Sequence, residues 1–314
     1  MLSTKLFNLM CKIFVKPSQI TGLIPMKLVN TLINLMANLW LHPRFVKVTP
    51  IIESNVQGDM ISASKNIDEA RVVLHLHGGG YFFCSPRTHR NYAWRLSHQT
   101  NLKVFLPRYR MAPDHTISDA TADAVSAYSW LLDQGYKAEN IIVGGDSAGG
   151  SLAILLLQNI KTTGLPMPKA GYFLSPFADL SMADRSMQSN AKSDPFIHPK
   201  TLRKLSQIHS RHVNGDEKHP SISPVFGSFK DFPPLMFQVG STEVLLDSTS
   251  TTVDKAREQG ISVEHNIWHE APHVFSIYAG IFPEATKGLK EISTFVQQQL
   301  SLKQDNIEKI EAVE

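Results

Sequence analysis

One pentapeptide in this chain combines a serine with the backbone geometry that makes a serine reactive. Gly145-Asp146-Ser147-Ala148-Gly149 fits Gly-x-Ser-x-Gly, the nucleophile elbow, in which a sharp strand-to-helix turn strains the serine and exposes its hydroxyl. Ile141 to Val143 read as the strand before it and Ser151 to Ile160 as the apolar helix after it. Glycines flank the serine because a side chain at either position would collide with strand or helix. The start of the next helix offers a backbone amide and a positive dipole end to an oxyanion. The chemistry this favours is nucleophilic acyl transfer.

Such chemistry needs partners. His77-Gly78-Gly79-Gly80 directly follows a strand ending at Leu76, and consecutive glycines let backbone amides turn toward one point. A donor near the elbow serine is what a tetrahedral oxyanion needs, and one such donor is worth roughly 3 to 4 kcal/mol of transition-state stabilisation. His77 is expected to order the loop rather than move protons. Tyr81 and Phe82, followed by Phe83, line either an apolar pocket or the core.

A serine hydroxyl also needs a base, usually a histidine held by a carboxylate. In chains built on this elbow the order is serine, acid, histidine, each in a loop after a strand. Of 13 histidines, His273 lies in the loop after strand Ser262 to Trp268; His269 is the reserve, and His265 falls within the strand. The acid comes from the loop after strand Leu235 to Val239. Glu243 is nearest the turn, and Asp247, inside the following helix, is the alternative.

The elements that must position these groups alternate. Phe45 to Ile52 and Met60 to Ser64 read as edge strands, and Arg71 to His77 as a central one. Then come helix Arg87 to Thr100, strand Lys103 to Leu106, helix Ser118 to Asp133 and the elbow strand itself. After the elbow follow strands Ala170 to Leu174 and Leu235 to Val239, helix Leu245 to Gln259, strand Ser262 to Trp268 and helix Pro283 to Leu300. This rhythm gives an α/β fold, a mostly parallel sheet with helices on both faces, over 45–176 and 233–300. Residues 177–232 interrupt it with prolines and short helical pieces such as Lys200 to Val213, and an insertion there sits above the carboxyl ends of the strands, where ligands bind. With residues 1–44 it is expected to form a cap. The tail, 301–314, is charged and expected to fray.

Composition narrows the class. With 42% hydrophobic and 19% charged residues in 314, the chain is globular, and 31 basic against 28 acidic residues give no nucleic-acid signature. Cys11 and Cys84 form neither a disulfide framework nor a metal spacing, so no metal is expected and the cytoplasm is the expected compartment. Met1 to Val15, broken by Lys5 and Lys12, lacks the form of a signal peptide. Leu28 to Leu41, with asparagine every fourth residue, is shorter than the ~20 residues a spanning helix needs. Both read as amphipathic helices, packed on the body or, as the alternative, lying on a membrane surface, with no transmembrane anchor.

His-Gly-Gly-Gly at 77 to 80, Gly-Asp-Ser-Ala-Gly-Gly at 145 to 150 and Tyr109-Arg110-Met111-Ala112-Pro113-Asp114-His115 together resemble the hormone-sensitive-lipase-like carboxylesterases of the α/β-hydrolase fold, over roughly residues 70–295. The resemblance implies Ser147 as nucleophile, His273 as base, Glu243 as acid, the glycine amides with Ala148 as oxyanion hole, and a cap of N-terminal helices plus insertion. It implies no cofactor and a small-molecule ester of short or medium chain, an acetyl ester or a lactone; homodimers through the last strand and helix are frequent in such enzymes. Three departures stand out: Glu243 where aspartate is common, Cys84 where glycine is common, and Ile117-Ser118 for Phe-Pro. Two rival classes stand beside this. One is a non-catalytic hydrolase-fold receptor, against which His273 argues because such receptors lack that histidine. The other is an esterase-like membrane enzyme anchored by its N-terminus, where Lys5, Lys12 and Lys16 argue against a spanning anchor and leave a surface-bound helix open.

Overall fold

The structure, a computed structural model, describes residues 1–16, 26–37 and 42–301; the last residues of the expected helix Leu28 to Leu41 and nearly all of the tail lie outside them. Eight strands form one sheet: β1 (Lys47–Ile52), β2 (Gln57–Ser62), β3 (Asp68–Leu76), β4 (Leu102–Arg108), β5 (Ile141–Asp146), β6 (Ala170–Leu174), β7 (Leu235–Gly240) and β8 (Val263–Trp268). Their spatial order is β1-β2-β4-β3-β5-β6-β7-β8. β1 and β2 run antiparallel, as do β2 and β4, and every other pair is parallel. β2 is therefore not an edge strand, as its sequence suggested. It lies between β1 and β4, and its Asp59, Met60 and Ile61 are buried.

Nine helices accompany the sheet among the described residues: α1 (Thr4–Met10), α2 (Met26–Met36), α3 (Pro86–Thr100), α4 (Ile117–Asp133), α5 (Ala148–Thr163), α6 (Ser186–Ser189), α7 (Pro199–Ser210), α8 (Leu246–Glu258) and α9 (Pro283–Gln299). Side chains alternate across each strand. Val72, Leu74 and Leu76 of β3 and Ile141 and Val143 of β5 join a core with α4, α5 and α8. Val73 and Ile142 point the other way, into a core with α3 and α9. Helices thus cover both faces. Each fully buried leucine or valine on these strands contributes about 1.5 to 3 kcal/mol.

The register does the positioning. Leu76 pairs with Gly145, Asp146 with Leu174, Leu174 with Gln238, and Gly240 with Trp268. The five strands β3, β5, β6, β7 and β8 consequently end within a few residues of one another, and their outgoing loops share one edge. The stretch 177–232 leaves from the same edge and carries α6 and α7.

Candidate active site

Ser147 sits at φ 53°, ψ −122°, directly between β5 and α5. A serine at positive φ is strained, and two main-chain bonds hold it there: its N–H donates to the Leu174 carbonyl at 2.8 Å, and its carbonyl accepts from Phe177 N–H at 3.1 Å. The helix begins at Ala148, three residues before the periodicity of its apolar side chains begins, because the turn itself needs glycines. A Cβ on Gly149 would stand 2.1 Å from the Leu76 carbonyl oxygen, and one on Gly145 2.3 Å from that of Gly149.

The structure brings the sequence candidates for base and acid to this serine. The Ser147 hydroxyl lies 2.9 Å from His273 Nε2, and His273 Nδ1 lies 2.7 Å from Glu243 Oε2. In this tautomer the hydroxyl donates to Nε2, and Nδ1–H donates to the carboxylate. Glu243 and His273 are buried, so the pair is shielded from water. The other oxygen of Glu243 is occupied as well, accepting from the Gly240 amide at 2.6 Å and the Ser175 hydroxyl at 2.7 Å. Asp247 is turned elsewhere: in the first turn of α8 it accepts from the Ser186 amide at 2.9 Å. His269 points into solvent with its side chain 90% exposed.

The glycine loop is anchored from below. The Gly78 amide donates to Asp146 Oδ1 at 3.0 Å, so it is engaged within the protein. The amides of Gly79, at φ 117°, Gly80 and Ala148 donate no hydrogen bond to any of the described residues. Asp146 is buried and also accepts from His75 Nε2–H at 3.1 Å, while His89 Nε2 stands 3.1 Å from the same oxygen, outside good hydrogen-bond geometry. Burial works to raise the Asp146 carboxyl, but the charge of His89 and the contacts of His75 and His89 outweigh it and hold the group well below the usual carboxylate range. His75, His89 and Asp146 are the one group among the described residues whose side chains could hold a metal ion. Their protein partners already satisfy much of the group, since the Tyr172 hydroxyl donates to His75 Nδ1 at 2.9 Å.

His77 stacks on Tyr109 with centroids 4.3 Å apart, its Nδ1–H donates to the Gly78 carbonyl at 2.8 Å, and burial pushes it down to about 3. It is a neutral brace. Tyr81 and Phe82 are both buried, each with its ring against His209 of α7. His209 Nε2–H donates to the Gly80 carbonyl at 3.2 Å, and Leu205 of α7 lies over Gly80. The insertion is thereby packed on the glycine loop.

Besides His209, three supporting residues escaped the sequence reading. Ser175 follows β6 at φ 45° and links the His273 loop, through the Val274 amide at 3.3 Å, to Glu243. Its position at the carboxyl end of the strand beside β5 was the available signal. Asp194 is buried and binds the Val244 amide at 2.9 Å; burial and the neighbouring Glu243 push its carboxyl up. Asn190 donates to the Glu243 carbonyl at 2.8 Å. Both belong to the irregular insertion, where no periodicity marks which side chains turn inward.

A chain with this sheet and this serine–histidine–carboxylate arrangement is an α/β hydrolase. The family defined by the alpha/beta hydrolase fold matches residues 73–277, and the protein belongs to it. Its sequence is 34% identical over 230 residues to an acetyl-hydrolase of Streptomyces hygroscopicus, covering 73% of this chain and 76% of that one. It is 31% identical over 253 residues to an esterase of Acinetobacter venetianus, covering 80% and 82%. Among solved structures, a hormone-sensitive lipase from a metagenome library superposes with TM-score 0.88 at 31% identity over 95% of this chain and 99% of that one. The esterase EstE5, soaked with p-nitrophenyl butyrate, gives 0.87 at 30% identity over 95% and 98%. No helix among the described residues is long and apolar enough to cross a membrane.

Proposed function

We propose that this chain is a serine carboxylesterase in which Ser147 attacks the ester carbonyl, His273 acts as base and Glu243 as acid. The observation that carries the reading is the unbroken chain of hydrogen bonds from Ser147 through His273 to Glu243, at 2.9 and 2.7 Å. His273 takes the serine proton as the carbonyl is attacked, and the imidazolium that forms is stabilised by Glu243. The amides of Gly79, Gly80 and Ala148 hold the oxyanion; Gly78 serves them by tying the loop to Asp146. His273 then protonates the departing alcohol, and water repeats the cycle on the acyl-enzyme.

The substrate class is an ester of short or medium acyl chain. It is supported by the names of the acetyl-hydrolase and esterase relatives and by the close seating of α7 on the glycine loop. The body-facing sides of α1 and α2, within residues 1–44, act with 177–232 as the cap over that site. The two free cysteines support the cytoplasm as compartment, and β8, at the sheet edge, is the surface through which a homodimer would form. The test is release of p-nitrophenol from acetyl, butyryl, octanoyl and palmitoyl esters, with Ser147→Ala and His273→Ala prepared identically. Activity on short chains that both variants lose supports the reading. An intact protein no faster than Ser147→Ala on any chain length sinks it.

A further inference from the structure

The helices that lead the chain are turned inside out. In α2, Asn30 and Asn34 face the body: Asn30 Oδ1 accepts from the Cys84 amide at 2.9 Å, and Asn34 Oδ1 accepts from the Ser85 hydroxyl. Leu28, Leu35 and Met36, on its other side, are 50%, 61% and 62% exposed. α1 and its continuation to Val15 bury an apolar face and still leave apolar side chains outside. Phe7 packs on Tyr278 and Phe282 at 5.0 and 4.8 Å and Cys11 is buried, while Leu9, Ile13 and Phe14 are 52%, 54% and 69% exposed. A surface helix of a globular protein does the reverse, and an apolar face this extensive marks an interaction site.

Charge identifies the partner. Residues 1–52 hold six of the chain's 31 basic residues and none of its 28 acidic ones. The remaining chain, with 25 basic against 28 acidic residues, is net negative. Lys5 and Lys12 are exposed beside the apolar face, on stems long enough to reach past buried leucines to an anionic surface. An outward apolar face bordered by lysines is how a helix lies in a lipid–water interface.

We propose that α1 with its continuation and α2 form a docking face for an anionic lipid–water interface. α1 leans on the loop beyond β8, through the Asn8 side chain to the Glu270 carbonyl at 2.9 Å, and α2 leans on the loop beyond the glycines. Docking therefore sets the loops of His273 and of Gly79 and Gly80 beside the lipid. That use, drawing esters dissolved in lipid to the site, rests on the carboxylesterase reading; the docking does not.

Co-sedimentation of the full chain with vesicles tests this. Wild type and Ser147→Ala should bind alike to phosphatidylcholine vesicles containing about one-third phosphatidylglycerol. Pure phosphatidylcholine or high salt should weaken that binding about tenfold. The double variants Ile13→Asp/Phe14→Asp and Lys5→Glu/Lys12→Glu should each reduce it by about tenfold or more, with Tm and the rate on p-nitrophenyl acetate unchanged. Absence of vesicle binding, or equal binding by the variants, overturns the proposal. So does a dimer in sedimentation velocity that Ile13→Asp/Phe14→Asp dissociates without any vesicle binding, which would assign the face to a second copy. Wild-type activity in Ser147→Ala with vesicle binding intact would remove the esterase reading and leave docking standing.

Discussion

Along the carboxyl edge of the sheet, buried polar groups are bonded within the protein; in the two leading helices, large apolar side chains stand in water. Asp146 is buried and accepts from Gly78 and His75, whereas Phe14 is 69% exposed. The first region resembles the interior of any enzyme, where a charge is tolerated only when it is bonded on every side. The second is incomplete in water. The difference teaches that one part of the chain is built to act alone and the other to act against a partner, so changes in the two should separate cleanly.

The largest expected effect breaks the first region and spares the second. Ser147→Ala should lower kcat on p-nitrophenyl butyrate by at least about 10⁴-fold while leaving vesicle binding untouched. Next comes the carboxylate. Glu243→Gln should cost about 10³- to 10⁴-fold in kcat, as loss of the acid does in such triads, and Asp247→Asn, which touches Ser186 instead, should stay within about threefold. Steady-state kinetics on the two variants side by side would reverse the assignment if Asp247→Asn were the more damaging.

Smaller effects test how the polar interior is tied together. Asp146→Asn removes the charge that collects Gly78 and His75, and should lower kcat by about 10- to 100-fold with a smaller change in KM, because the oxyanion donors loosen. A drop in Tm with kcat intact would show the cluster to be structural only. His209→Gln is expected to reduce kcat by about three- to tenfold, through the Gly80 carbonyl it holds.

The smallest is a pH effect. Burial lowers His209 from 6.5 to about 4, so the unfolded chain binds this proton at higher pH than the native one. Stability is then complete above about pH 6.5 and falls as pH drops toward 4. Calorimetric Tm should decline over that window, and less steeply in His209→Gln. An unchanged slope would mean that other groups, His77 first among them, carry the effect.

Much of this was legible in the sequence because the signals are local. The elbow, the glycine loop and the strand–helix alternation depend on neighbours a few residues apart, and the structure places Ser147, Glu243 and His273 together. Ser175, Asp194 and His209 were missed because they act across large gaps in sequence. His209 lies 129 residues from the Gly80 it supports. The leading helices show a different limit. The recurrence of Asn30 and Asn34 reveals that a helix has two faces, yet nothing in the spacing says which one meets the protein; that depended on Cys84 and Ser85 offering polar groups at the right place.

The backbone at Ser147, held at φ 53° by Leu174 and Phe177, has a consequence in time as well as in shape. A nucleophile that had to rotate into place would spend part of each turnover searching, and the search would recur with every ester. Here the orientation is settled once, as the chain folds, and the energy stored in that awkward turn is drawn from the packing of the whole sheet. On the proposed mechanism an arriving ester meets a hydroxyl already aimed, and readiness is a property of the empty protein.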